Sequence, residues 1–128
     1  MTSKTAIIPP DGPKPIGPYS PAIKYGNLLF LSGVIGLNPS TGQMMQESIE
    51  SEIHQIMENI RQLLHHAGLN WESLLKVTIY LTNMQYFETV NKIYGSFVRE
   101  PYPARETVQV SALPRGARIE ISAIASYA

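Results

Sequence analysis

The sequence predicts an α+β fold in one domain, a mixed, mostly antiparallel sheet with two helices on one of its faces. Three observations predict it. The chain has 128 residues, long enough to bury a core but short for two domains, so residues 1–128 read as a single unit. Two segments carry apolar residues at spacings of three and four, and the segments around them alternate apolar and polar residues at strand period. The order is therefore strands, helix, strand, helix, strand hairpin, which suits one sheet with both helices on a single face.

The elements follow in chain order. Pro9-Pro10-Asp11-Gly12-Pro13-Lys14-Pro15 can neither continue a helix nor supply ladder donors, so it reads as an extended surface arm leading to Ile16-Gly17-Pro18-Tyr19-Ser20. Ala22 to Tyr25 and Leu28 to Ser32 flank Gly26-Asn27, whose tolerance of positive φ predicts a tight hairpin. Asn38-Pro39-Ser40-Thr41-Gly42 is the loop that follows. From about Glu47 to Ala67, the residues Ile49, Ile53, Ile56, Met57, Ile60, Leu63, Leu64 and Ala67 form a stripe of helical period, which Gly68 caps. Leu75, Val77, Ile79 and Leu81 alternate with Lys76, Thr78, Tyr80 and Thr82, a strand with one side against a core. Asn83 is the N-cap of a second helix whose buried stripe is Tyr86, Phe87, Val90, Ile93, Tyr94 and Phe97, until Pro101 and Pro103 stop it.

The last quarter holds the charged residues of interest. At strand period Arg105, Thr107 and Gln109 share one face, and Arg118, Glu120 and Ser122 share one face of the next strand. An antiparallel hairpin about Leu113-Pro114-Arg115-Gly116 would set Arg105 opposite Glu120, a guanidinium beside a carboxylate that suits a small carboxylate ligand. The sheet face away from the helices then carries Thr78, Tyr80, Arg105, Thr107 and Glu120. That face is too polar for a monomer core yet rich in groups that a partner would satisfy, which predicts a homo-oligomer.

Composition excludes several classes. Ten basic and ten acidic residues cancel, so no overall field recruits nucleic acid or an anionic membrane. Without cysteine there is no disulfide, thiolate nucleophile or cysteine zinc site. No apolar run approaches a membrane span, and the first ten residues lack the basic and apolar regions of a secretory signal, so a soluble, cytoplasmic protein is the expectation. His54, His65 and His66 fall on the first helix as surface residues, and no zinc-deaminase, metalloprotease, phosphate-loop or dinucleotide motif is present. Metal and nucleotide chemistry are therefore disfavoured.

Four separated motifs carry a resemblance over essentially the whole length. They are Ile16-Gly17-Pro18-Tyr19-Ser20, Leu31-Ser32-Gly33, Val90-Asn91-Lys92-Ile93-Tyr94, and Pro103-Ala104-Arg105 with Ile119-Glu120-Ile121. In that order and spacing the chain resembles the RidA (YjgF) family of reactive intermediate deaminases. The resemblance implies a chorismate-mutase-like subunit, a homotrimer with a barrel-like centre, and ligand clefts between subunits. It also implies hydrolysis of 2-aminoacrylate-type enamines and their imine tautomers to 2-keto acids and ammonia, without metal or cofactor. Carried over by residue, Arg105 would grip the substrate carboxylate, with hydrogen bonds from the backbone of Gly33 and Thr107. Glu120 would hold or activate water, and Tyr19, Ser32 and Asn91 would line the cleft.

Two positions depart from the family pattern. A cysteine common in the family is Thr107 here, which rules out a thiol in the mechanism but leaves the backbone N–H. A small residue usual after the arginine is Glu106, which strict alternation would turn toward the helix-covered face, where an unpaired carboxylate is costly. Each assignment also has a plainer rival in the residues alone. Arg105 and Glu120 fit an interface ion pair, Tyr19 a loop aromatic, Asn91 a helix-surface hydrogen bond, and Ser32-Gly33 a bulge. Two other functions compete. A ligand-binding trimer needs Arg105 but not Glu120. An RNA-cleaving protein fits poorly with zero net charge and no histidine near the cleft motifs.

Overall fold

The computed structural model describes residues 3–128; Met1 and Thr2, part of the segment read for a secretory signal, lie outside the described residues. The strands are β1 (Thr5–Ile7), β2 (Ala22–Tyr25), β3 (Leu28–Val34), β4 (Leu74–Leu81), β5 (Ala104–Gln109) and β6 (Ile119–Ser126), and the helices are α1 (Ile49–His66) and α2 (Phe87–Gly95). One sheet holds all six strands in the order β1-β2-β3-β6-β4-β5. Only β4 and β5 run parallel; the other pairs are antiparallel. Two helices and a mixed, mostly antiparallel sheet thus match the expected class.

The turn chemistry explains the first strands. Tyr25 pairs with Leu28, leaving Gly26-Asn27 as a two-residue turn with φ of +62° at Gly26. β1 was not anticipated. Only three residues long, it adds an edge strand to β2 just before the prolines. Between Leu31 and Val34 the register shifts, a bulge at Ser32-Gly33.

The first helix starts where Ser48 caps it: the Ser48 hydroxyl accepts from the Ser51 N–H at 3.0 Å, and the Ser51 hydroxyl accepts from the Ser48 N–H at 3.0 Å. It ends in a Schellman motif. Gly68, at φ +82°, donates to the His65 carbonyl at 2.9 Å, and Leu69 donates to the Leu64 carbonyl at 2.8 Å. The side chain of Asn83 accepts from Gln85 N–H at 2.9 Å and caps a 3₁₀ turn that leads into α2. α2 itself stops at Gly95, several residues before the prolines.

The core lies on one sheet face. Ile53, Ile56, Met57, Ile60, Leu63 and Leu64 of α1 and Val90 and Tyr94 of α2 pack with Leu29, Leu31, Val77, Ile79, Leu81, Ile119, Ile121, Ala123 and Ala125. Each large side chain so buried is worth about 1.5–3 kcal/mol, so this single face dominates stability. One strand residue leaves the expected alternation. A register shift between Leu74 and Lys76 buries Leu74 and turns Leu75 outward at 48% exposure.

Two expectations for the last quarter are corrected. β5 and β6 do not form a hairpin. β4 lies between them, pairing in parallel with β5 and antiparallel with β6. The order β4-α2-β5 is a helix-linked crossover between neighbouring strands, and a parallel partner for β5 follows from it. The faces of β5 are also the reverse of those expected. Arg105 and Thr107 are in register with the inward Val77 and Ile79, whereas Glu106 is in register with Thr78 on the uncovered face.

Candidate active site

Arg105 projects from β5 beneath α2. Its Nη1 donates to Oδ1 of Asn91 at 2.7 Å, and its guanidinium carbon lies 5.1 Å from the ring centre of Tyr94 and 5.7 Å from that of Phe87. The i, i+3 and i+4 spacing of α2 puts Phe87, Asn91 and Tyr94 on one helical face, so a single helix supplies a hydrogen-bond acceptor and two π faces. Such a clamp fixes the planar fork while leaving its remaining N–H groups for a ligand. The backbone adds a donor. Val110 N–H donates to Leu81 carbonyl at 2.8 Å, so alternation along β5 turns the Thr107 N–H to the unpaired outer edge of the sheet. Arg105, Asn91 and Thr107, three of the expected site residues, thus form one group.

The other four form a second group. Ser32 donates through Oγ to the Ser20 carbonyl at 2.7 Å, and Ser32 N–H donates to the Pro21 carbonyl at 3.0 Å, tying the bulge to the loop that carries Tyr19. Tyr19 is 47% exposed; its hydroxyl accepts from Ile16 N–H at 3.3 Å. Tyr19, Ser32 and Gly33 border a pocket between the proline arm and α1, which also touches Gln62 and Leu63. Gly33 has a steric reason to be glycine: a Cβ there would overlap Oε2 of Glu120 and lie 2.6 Å from its carboxyl carbon.

Glu120 is in register with Tyr80 on the sheet face that the helices leave uncovered. Burial pushes its carboxyl above the usual carboxylate range, so it keeps a proton to higher pH than a solvated glutamate. Arg105 and Glu120 are therefore not neighbours in one chain. They sit on opposite faces of the sheet, two strands apart and three residues out of register, about 10 Å across the strands and about 10 Å along them. The parity reversal that separates them also relieves Glu106. Its carboxylate accepts from the Thr78 hydroxyl at 2.8 Å and lies 3.4 Å from Lys76 Nζ, and the Thr78 hydrogen bond foremost, with Lys76, holds it below its usual range.

Sequence reasoning missed the groups that hold these residues in place. Glu52 is fully buried in α1 and accepts from both the N–H (2.8 Å) and Nε (2.7 Å) of Arg118, whose Nη2 donates to the Gln46 carbonyl at 3.1 Å. This pins the start of β6, two residues before Glu120. A polar residue within the apolar stripe of α1, next to Ile53, was the available signal. Phe87 and Tyr94 were read only as core. Among the described residues no cluster of three or more histidine, cysteine, aspartate or glutamate side chains could hold a metal ion, and no helix is long and apolar enough to cross a membrane.

The family model described as endoribonuclease L-PSP matches residues 10–127. The chain belongs to that family, RidA/YjgF. Among its relatives, the chloroplastic Reactive Intermediate Deaminase A of Arabidopsis thaliana is 45% identical over 123 residues, 96% of this chain and 66% of the plant protein. The 2-iminobutanoate/2-iminopropanoate deaminase of Dermatophagoides farinae is 39% identical over 97% of both chains. Solved RidA-family structures agree on the fold. RidA from an Antarctic Psychrobacter superposes with a TM-score of 0.91 at 34% identity, covering 95% of this chain and 98% of that one. Escherichia coli TdcF with bound serine gives 0.90 at 31% identity, covering 97% and 99%. The relatives named as deaminases support a RidA-type deaminase function for this chain.

Proposed function

We propose that this chain is a cofactor-free 2-iminobutanoate/2-iminopropanoate deaminase, which hydrolyses reactive imines and their enamine tautomers to 2-keto acids and ammonia. The observation that carries the reading is the Arg105 group: a guanidinium clamped by Asn91 and two rings beside the outward N–H of Thr107. That is a fork for one small carboxylate. The Glu120 group supplies the second half of the chemistry. Water oxygen adds to the C=N carbon while the Glu120 carboxylate takes one of its protons. The same carboxyl then returns the proton to nitrogen to give a carbinolamine, and in a second relay it takes the hydroxyl proton and passes it to nitrogen, so that the C–N bond breaks and ammonia leaves as the C=O forms. A carboxyl with a raised proton affinity suits both transfers, and such help is worth about 10²- to 10⁴-fold in rate.

The two groups must meet for this chemistry, and the sheet geometry keeps them apart within one chain. On this reading the protein is a homotrimer of chorismate-mutase-like subunits with a barrel-like centre. The Arg105 edge of one copy faces the Tyr19, Ser32, Gly33 and Glu120 group of the next. The uncovered sheet face, with Phe30 and Val108 each 40% exposed, supplies apolar surface for that assembly.

The test is keto-acid release from a dehydratase-generated pulse of 2-aminoacrylate or 2-aminocrotonate. Native protein is expected to accelerate release, and Arg105→Ala and Glu120→Ala to abolish the acceleration. No acceleration by folded native protein sinks the deaminase reading. A binding-only role has one observation in its favour, the serine held by TdcF. Retention of 2-keto acid binding by Glu120→Ala and Arg105-dependent binding without turnover would select it.

A further inference from the structure

We propose that the side-chain hydroxyls of Tyr94 and Thr107 are additional ligand contacts, which hydrogen-bond the carboxylate-bearing end of the substrate beside Arg105. The inference rests on the deaminase reading of the Arg105 group and adds two donors to it. Among the described residues, Tyr94 Oη and Thr107 Oγ1 are the two buried side-chain polar atoms without a hydrogen-bond partner. Both belong to that group. Tyr94 stacks its ring on the guanidinium at 5.1 Å, and Thr107 follows Arg105 by two residues on the same strand face.

Elsewhere among the described residues the buried side-chain polar atoms have partners. Glu52 accepts twice from Arg118, and Asn59 Nδ2 donates to the Ile35 and Leu37 carbonyls at 3.2 and 2.9 Å; the half-buried Tyr127 hydroxyl donates to the Ala67 carbonyl at 2.8 Å. A lone buried hydroxyl costs stability, whereas phenylalanine or valine of the same shape would pack there at no such cost. Two such groups in the neighbourhood of one cation mark where a polar ligand completes the hydrogen bonding. Tyr94 is 6% exposed, and burial pushes its hydroxyl up despite the opposing Arg105 charge, so it stays protonated and able to donate. A carboxylate has about four lone-pair sites, enough to accept from the guanidinium fork and from both hydroxyls.

The experiment compares native protein with Tyr94→Phe and Thr107→Val, reading KM and kcat for imine hydrolysis, the Kd of 2-oxobutanoate, the ligand-free melting temperature and the assembly size. Each variant is expected to raise KM and Kd by about tenfold with kcat near native, as loss of one hydrogen bond to a charged group requires. The ligand-free melting temperature is expected to stay or rise, because an unpartnered hydroxyl has been removed. Unchanged KM and Kd in both variants overturn the inference while leaving the deaminase reading intact. A fall in assembly size with Tyr94→Phe also overturns it, since the hydroxyl would then serve another copy of the chain. Native protein that binds 2-oxobutanoate without turnover refutes the deaminase reading, and Kd alone then decides the role of the hydroxyls. Native protein that neither turns over imines nor binds 2-oxobutanoate refutes both.

Discussion

Glu120 carries two separable consequences of burial. Its folded carboxyl titrates above its ordinary value of 4.5. Stability is therefore highest when it is protonated and falls as pH rises from the ordinary carboxylate range through the raised value. Glu120→Gln is expected to melt higher than native protein at pH 8 and alike at pH 4, while losing about 10²-fold or more in deaminase rate. Equal melting at both pH values would show that the carboxyl is not desolvated. At Arg105 the charge alone should not suffice. Arg105→Lys keeps the charge but loses the fork and its stacking on Tyr94 and Phe87, so KM is expected to rise by about tenfold or more in steady-state assays. Arg105 and Glu120 were singled out from the sequence as strand charges, whereas Tyr19, Ser32, Gly33, Asn91 and Thr107 came forward as site residues only through the family resemblance. The roles of Phe87 and Tyr94 were not legible, since an aromatic on the inward face of a helix reads the same whether it packs on leucine or on a guanidinium.

At the scale of elements, a few junctions hold the candidate site. Gly33 on β3 and Glu120 on β6 share space that admits no Cβ. Gly33→Ala is expected to displace the Glu120 carboxyl and lower kcat far more than it lowers the urea midpoint, and the opposite ranking would place Glu120 elsewhere in the working enzyme. The Glu52–Arg118 pair joins α1 to the start of β6. Arg118→Ala leaves the fully buried Glu52 carboxylate uncompensated, so it is expected to cost roughly 3–5 kcal/mol in urea unfolding. Most elements were readable from period and punctuation: the Gly26-Asn27 turn, the α1 stripe with its Gly68 end, the strand at Val77 to Leu81, and Asn83 before the second helix. β5 was misread because Arg105-Glu106-Thr107-Val108-Gln109 is polar on both parities, and Val108 made the wrong face look inward. The signal that resolves it is topological. A strand that follows a helix-linked crossover runs parallel to the strand before the helix, and here β5 pairs with β4 directly.

For the whole molecule, the separation of Arg105 from Glu120 by sheet and distance makes a quantitative prediction about assembly. If each cleft takes Arg105 from one copy and Glu120 from the next, a mixture of two inactive variants regains activity. Equal amounts of Arg105→Ala and Glu120→Ala, unfolded together and refolded, are expected to recover about a quarter of native activity, the share of random junctions in which both working groups meet. Recovery of none, with assembly intact, would place both groups of each site in one chain.

The sequence by itself determined which segments are helix and strand, β1 apart, and that two helices cover one sheet face, because these depend on local period and residue type. Only the tertiary structure decided who neighbours whom. It inserted β4 between β5 and β6, turned Arg105 under α2 and Glu106 out to Thr78 and Lys76, and gathered the seven expected site residues into two groups. The physical reason is that strand order and facing are set by crossover connections and by long-range packing, which leave no periodic mark on the strand concerned.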